Sequence, residues 1–385
     1  VGVPVFFLLK RTGNVSLATL GMMLVMLPMF FLGMYEKDGQ PLEKIAQHFI
    51  RAKIIRPQVR PYRTNNYYAA LIRQDEGRMI IYRELSSLEQ DLGISAKTMY
   101  AVSNNLGKHY HTVKLPKKNG GYRELSVPDP LLKSIQKQIT NTLLVHMPVS
   151  RYATAYCYGS STLRNAKHHI GKRVVLKLDI LHFFDSIRYS TVKDVAFPPK
   201  IYSEPLRILL TMLCYYKDVL PQGAPSSPAI TNIIMFSFDE HLGQWCRERN
   251  IAYTRYCDDM TFSGGFDPAE VTDFVRLELK KLGFLLNEQK TQVQRPGQQQ
   301  SVTGIVVNEK MSIPAEYRRK LRQEIYFCQK YGIQSHLQRL GLEIPEETYR
   351  VKLLGRANYV LQVMPNDSQM LDARNILLGL ARGSN

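Results

Sequence analysis

The sequence predicts an α+β protein of two or three domains behind an apolar leading segment, and three observations carry that expectation. A chain of 385 residues has room for two or three domains at roughly 150 residues each, every one able to bury a core. From about residue 80, β-rich runs ending in acidic residues alternate with stretches of helical periodicity. Ahead of them, residues 15–34 (VSLATLGMMLVMLPMFFLGM) carry no charge.

That apolar run is long enough to span a bilayer at about 1.5 Å per residue. Pro28 and two glycines do not exclude a membrane helix, which tolerates both residue types; a buried helix is the alternative. Lys10 and Arg11 precede the run, whereas Lys37, Lys44, Arg51, Lys53, Arg56, Arg60 and Arg63 follow it. The positive-inside rule then puts the large C-terminal part in the cytoplasm, anchored to the membrane through residues 15–34. A signal peptide fits less well, because no small-residue cleavage site follows. The chain begins with Val1 rather than Met, which points to a start inside a longer reading frame.

Composition narrows the partner. Hydrophobic residues make up 44% and charged residues 22%, so disorder is excluded as an overall description. Lys and Arg number 51 against 33 Asp and Glu, a surplus of 18. With 22 Tyr and 15 Phe, the surplus favours a polyanion, nucleic acid before anionic membrane, over a small neutral substrate. The five cysteines (Cys157, Cys214, Cys246, Cys257 and Cys328) form no CxxC pair, which argues against a zinc site or a disulfide scaffold. Their scatter fits a reducing compartment.

Taken in order, residues 85–105 read as a helix with a cap at Ser95, and KLPKKNGGYRELSVP as a hairpin turning at Asn119-Gly120-Gly121. Residues 131–146 space Leu132, Ile135, Ile139 and Leu143 for one helical face. Residues 174–180 (VVLKLDI) form a strand that delivers Asp179 at its end. Residues 251–263 (IAYTRYCDDMTFS) form two strands broken at Cys257-Asp258-Asp259. An Asp pair is often a solvated turn, but Tyr256, Met260 and Phe262 around this one suit a half-buried sheet, where the acids call for metal or Arg compensation. Two adjacent strands bearing such acids can present hard oxygen ligands to two divalent metals. Ser227 and Pro228 read as cap and first residue of a helix with Ile230, Ile234, Phe238, Leu242 and Trp245 on one face. Beyond Asn308 the pattern is basic and helical, with Tyr317, Arg318, Arg319, Lys320 and Arg322 in one cluster and Lys352, Arg356 and Tyr359 in another.

YCDD at 256–259, DILHFFD at 179–185 and LPQGAPSSPAITN at 220–232 resemble the palm motifs of reverse transcriptases in their usual order, and GFLLNEQKT at 283–291 and VTGIVVN at 302–308 resemble the next two. NAKHH at 165–169 and VTG at 302–304 resemble the hallmarks of bacterial retron enzymes. The resemblance covers about residues 80 to 360. Residues 5–75 resemble small membrane proteins of bacterial conjugation machinery. Cys257 departs from the alanine usual in retrons, and the departure suggests sensitivity to thiol reagents.

The resemblance implies a right-hand polymerase with an antiparallel palm sheet and a helical thumb. Residues 1–75 would be the membrane-protein-like segment, 76–310 fingers and palm, and 311–385 a thumb and RNA-binding region. It implies two Mg²⁺ ions held by Asp179, Ile180, Asp258 and Asp259, with Asp179, Asp258 and Asp259 as the catalytic set. Lys117, Arg123, Phe184, Gln222, Gly223 and Lys290 would meet the nucleotide: Arg123 at the triphosphate, Phe184 as the aromatic gate against a 2′-OH, Lys290 near the departing pyrophosphate. Gln222-Gly223 would pack against the template base pair. Asn165, His169, Arg318, Arg319 and Arg322 are the RNA-contact candidates, although Asn165 and His169 serve equally as a brace for the palm. The implied function is RNA-directed DNA synthesis on a structured noncoding RNA, with dNTPs as substrates and an RNA–DNA hybrid as intermediate. Priming would come from an internal 2′-OH, and the RNA-linked DNA would serve antiphage defence, with an effector protein as a further partner. The rivals are a group II intron-like or other defence-associated reverse transcriptase, or an idle membrane-tethered RNA-binding scaffold. Only about 75 residues follow Asn308, which disfavours the intron enzyme.

Overall fold

The computed structural model describes residues 36–37, 40–41, 82–116 and 120–380. The expected membrane span at 15–34, nearly all of the leading segment, and Lys117 and Lys118 lie outside them. Among the described residues, no helix is long and apolar enough to cross a membrane.

Strands β1 (Glu36–Lys37) and β2 (Gln40–Pro41) form a short antiparallel pair. The single helix expected over 85–105 is two, α1 (Leu85–Leu92) and α2 (Ala96–Asn104). Gly93 takes a left-handed φ of 63° and ends the first; Ser95 caps the second, its side chain accepting from the Thr98 N–H. Strands β3 (Tyr110–Pro116) and β4 (Tyr122–Pro128) pair as the expected hairpin. Helix α3 (Pro130–Gln138) starts with Pro130 at its first position and Asp129 as cap. The expected run to residue 146 continues as a π turn (Ile139–Leu143) and a 3₁₀ turn (Leu144–His146) instead of α-helix.

Helix α4 (Thr162–Lys167) precedes β5 (Val174–Asp179), and α5 (Glu204–Cys214) leads to α6 (Ser227–Glu248). Ser227, expected as the cap, is itself the first residue of α6, and its hydroxyl donates to the Pro221 carbonyl at 2.6 Å. Strands β6 (Ala252–Tyr256) and β7 (Asp259–Gly264) form the second expected hairpin, followed by α7 (Pro268–Leu282) and β8 (Gln292–Gln294). After β9 (Ser301–Val302) and β10 (Ile305–Val306) the chain is helical: α8 (Ala315–Tyr331), α9 (Ile333–Leu340), α10 (Glu346–Val363) and α11 (Ser368–Leu380).

These elements form two interleaved compact units. One takes the chain to Val149 with His182–Ser237 and Lys280–Phe284; the other takes Ser150–Leu181, Phe238–Leu279 and everything from Leu285. The second unit holds the main sheet, an antiparallel β6-β7-β5-β8 array. Strands β5, β6 and β7 are buried on both faces over most of their length, as the continuous apolar run of β5 requires, whereas the edge strand β8 is not. A core of Val175, Val302, Ile305, Leu321, Leu353 and Val360 joins that sheet to α8 and α10.

Candidate functional site

In the second unit the register of β5 against β7 sets Asp179 opposite Asp259, and the two-residue loop Cys257-Asp258 joins β6 to β7 beside them. The Ile180 N–H donates to the Asp258 carbonyl at 3.1 Å, tying the loop to the end of β5. Asp179 is buried, and its carboxylate accepts from Lys290 Nζ at 2.9 and 3.1 Å and from Asn287 Nδ2 at 3.1 Å. The Asn287 N–H also donates to the Asp179 carbonyl at 2.8 Å. Asn287 and Lys290 belong to the GFLLNEQKT segment, and Lys290 alone was the candidate there.

Charge is crowded at this point. Desolvation of its carboxyl, followed by the charges of Asp258 and Asp179, pushes Asp259 up to about 6, although the residue as a whole is exposed; Lys290 pulls the other way. Partial burial works against the Lys290 ammonium, but its bond to Asp179 and the three acids hold it above its ordinary value. The donor set suits a hard divalent cation, which prefers carboxylate and carbonyl oxygens. Ile180 has a buried apolar side chain, so only its carbonyl could join that set. Among the described residues, no three acidic, imidazole or thiol groups converge as a preformed metal cage. Lys290, salt-bridged to Asp179, is the cation that the geometry displays.

Cys257 sits in the turn with φ of +63°. It is buried, and burial, then the Asp258 charge, pushes its thiol up to about 12. A buried, protonated thiol reacts poorly, so the expected sensitivity to thiol reagents is corrected. Tyr156, which sequence reasoning passed over, also has a left-handed backbone, with φ of 61°.

Asn165 and His169 are corrected as RNA contacts: both are buried. Asn165 Oδ1 accepts from Thr154 Oγ1 at 2.9 Å and Thr254 Oγ1 at 2.6 Å. The His169 ring bridges Ser263 Oγ at 2.7 Å and Thr254 Oγ1 at 2.8 Å. Asn165 Oδ1 and both ring nitrogens of His169 are spent on Thr154 and on β6 and β7, while the buried Asn165 Nδ2 has no hydrogen-bond partner among the described residues; the burial of both side chains leaves the brace. In the VTG segment, Thr303 and Gly304 both take positive φ, as a tight hairpin turn between β9 and β10 demands, and the Thr303 hydroxyl donates to the Thr162 carbonyl at the start of α4.

The three arginines divide. Arg318 is half-buried and pairs with Asp367 at 2.9 Å and the Ile313 carbonyl, which spends its charge on the fold. Arg319 is exposed and Arg322 half-buried.

The other nucleotide candidates belong to the first unit. Arg123 is exposed on β4, opposite Leu115. Phe183 is buried and meets the half-buried Phe184 edge to face at 5.6 Å, while the Phe184 carbonyl accepts from the Leu220 N–H. Gln222 is half-buried. Close approach at Gly223 does occur, but its partner is the chain itself: a Cβ there would run into the Ser126 carbonyl oxygen of β4 and lie 3.1 Å from Val127 Cα.

An antiparallel sheet that delivers one acid from a strand end and two from a neighbouring hairpin marks a class, and the family comparison agrees with it. The chain belongs to the reverse transcriptase (RNA-dependent DNA polymerase) family, whose model matches residues 115–347. RNA-directed DNA polymerase is the enzyme class of that family. Within the family it is of retron type. It is 32% identical over 291 residues to the reverse transcriptase of retron Mx65 from Myxococcus xanthus, covering 69% of this chain and 64% of that one. It is 33% identical over 236 residues to that of retron Ec83 from Escherichia coli, covering 57% and 75%. For retron Ec86 of Escherichia coli the figures are 30% over 264 residues, 67% and 82%. The chain thus spans just under two thirds of the Myxococcus relative's length. Residues 1–62 match the PrgI family, in line with the conjugation-protein resemblance of the leading segment.

Proposed function

We propose that this chain copies a structured noncoding RNA into DNA, priming from a 2′-OH within that RNA, and that the RNA-linked product serves antiphage defence with an effector protein. The observation that carries the catalytic part is the meeting of Asp179 and Asp259 in register beside the Asp258 loop. In this reading Asp179 and Asp258, with the Ile180 carbonyl, hold two Mg²⁺ ions and Asp259 supports them. The bound ions supply Lewis acidity that activates the primer hydroxyl and neutralises triphosphate charge. Lys290 holds Asp179 by a salt bridge and offers a proton or positive charge to the departing pyrophosphate. Phe184 excludes a 2′-OH on the incoming sugar, Arg123 and Lys117 take the triphosphate, and Gln222 with Gly223 faces the template base pair. Residues 76–310 act as fingers and palm and 311–385 as thumb. The leading segment is a fused passenger, a membrane anchor through residues 15–34 that leaves the catalytic part in the cytoplasm. Retron relatives at 30–33% identity favour this reading over an intron enzyme.

Asp258→Asn removes one negative ligand while keeping the side chain's size. Primer extension with Mg²⁺ should fall at least a thousandfold while RNA binding by filter retention persists. Normal extension by that variant would sink the assignment and favour the idle scaffold.

A further inference from the structure

We propose that Arg255, clamped by Asp239, is a positioning residue that sets the direction in which the Asp258 carboxylate leaves the backbone. The inference rests on the reading of Asp258 as a metal ligand. Arg255 lies on β6, two residues ahead of the turn, and its guanidinium is fully buried together with the Asp239 carboxylate of α6. Its Nε donates to Asp239 Oδ1 and Oδ2 at 2.9 and 3.0 Å, and Nη2 to Oδ2 at 2.6 Å. Tyr253 OH donates to Asp239 Oδ1 at 2.8 Å. One arm of the fork remains, and Nη1 donates to the Cys257 carbonyl at 2.9 Å.

That carbonyl belongs to the peptide on the N-terminal side of Asp258. The peptide on its C-terminal side is held as well, because the Asp258 carbonyl accepts from the Ile180 N–H at 3.1 Å. Both peptide planes around Asp258 are therefore fixed, one from α6 through Arg255 and one from the strand that ends in Asp179. With both planes fixed, the Cα–Cβ bond of Asp258 has one direction.

Such a clamp has work to do at this position. Cys257 occupies the first central position of a two-residue hairpin loop with φ of +63°, a conformation that glycine adopts freely and other residues adopt at a cost. A backbone in that state relaxes unless its surroundings over-determine it. Stability alone does not explain a fully buried ion pair, since well-packed apolar side chains commonly replace one without loss. Lysine cannot stand in for Arg255, because a single ammonium lacks the planar fork that reaches two acceptors at once.

The test uses the full chain with Mn²⁺ as the binding probe, followed by electron paramagnetic resonance, and primer extension titrated with Mg²⁺. The double variant Arg255→Met with Asp239→Leu removes both charges and keeps the volume filled. It should melt within a few degrees of wild type, bind Mn²⁺ at least tenfold more weakly, and need correspondingly more Mg²⁺. Its kcat should fall with KM for dNTP little changed, a split that general loosening of the fold would not give. A folded double variant with wild-type Mn²⁺ affinity and Mg²⁺ requirement overturns the proposal. If the double variant does not fold, Arg255→Lys carries the test: a tenfold loss of Mn²⁺ affinity supports the clamp, and wild-type affinity overturns it. Asp258→Asn separates the two readings. If that variant still binds Mn²⁺ and extends primers, the metal-ligand reading fails; if it is inactive while the clamp variants match wild type, only the clamp fails.

Discussion

A methyl group at position 223 has no space to occupy, because the carbonyl of Ser126 and the backbone of Val127 lie against the glycine. Backbone cannot swing aside as a flexible side chain can, so the β3–β4 hairpin or the Pro221–Ala224 segment would have to move. Overpacking of this kind costs about 1–3 kcal/mol. Gly223→Ala should therefore lower the urea-unfolding free energy by that amount, and extension activity with it. Wild-type stability in that variant would show that strand and loop separate more easily than their contact implies. The motif glycine, whatever else it meets, is already spoken for by its own fold.

Antiparallel pairing gives the main sheet two faces, and residues opposite one another share a face. Asp179 and Asp259 share one with Lys177, Thr261 and Ser263. His169 reaches Ser263 and Thr254, so the acids and the buried network mark two ends of one surface. Burial, then the charges of His168 and Lys172, pushes the His169 imidazole down to about 3. The unfolded chain takes up that proton near pH 6.5, the folded chain only near pH 3. Folding stability therefore falls as pH drops between those values, by about 1.4 kcal/mol per unit, and is unaffected above them. His169→Gln should be less stable than wild type at pH 7, with the gap narrowing by about 2 kcal/mol at pH 5 in urea unfolding; a constant gap would refute the neutral, buried imidazole. This network shows where sequence reading stops. The acid-bearing strands and both hairpins were legible because each is a local pattern of β-rich runs and turn residues. The inward aim of Asn165 and His169 was not, since Asn165 sits in a helix of six residues, too short to show a face by periodicity, and His169 lies just past its end. Arg255 left a usable trace: a lone cation between Tyr253 and Cys257, at the inward beat of a strand, needs a buried partner. The break at Gly93 was written in the sequence too, and helical spacing on both sides masked it.

At the scale of the molecule, the surplus of 18 positive charges favours a polyanion as partner but does not say which cations would touch it. The C-terminal helices divide them. Arg318 is held by Asp367 and Arg356 by Glu324 at 2.7 Å, each a half-buried arginine spending its charge on the fold. Arg319 on α8 is exposed and Arg322 half-buried, while the exposed Lys320 is paired with Glu316 at 2.8 Å; a phosphate contact of that cluster is tested first at the two arginines. Each phosphate neutralised adds about 0.7–0.9 to the slope of log affinity against log salt. Replacing both Arg319 and Arg322 with Gln should therefore weaken RNA binding and flatten the slope by about 1.5, with little change in melting temperature. Arg318→Gln should do the reverse, lowering the melting temperature because Asp367 loses its partner, while the salt slope stays near that of wild type. Binding isotherms across a salt series, read beside thermal melts of the same variants, separate the two roles. An Arg318 variant that flattens the slope, or an Arg319 and Arg322 pair that leaves it unchanged, would move the nucleic-acid surface away from this face of α8.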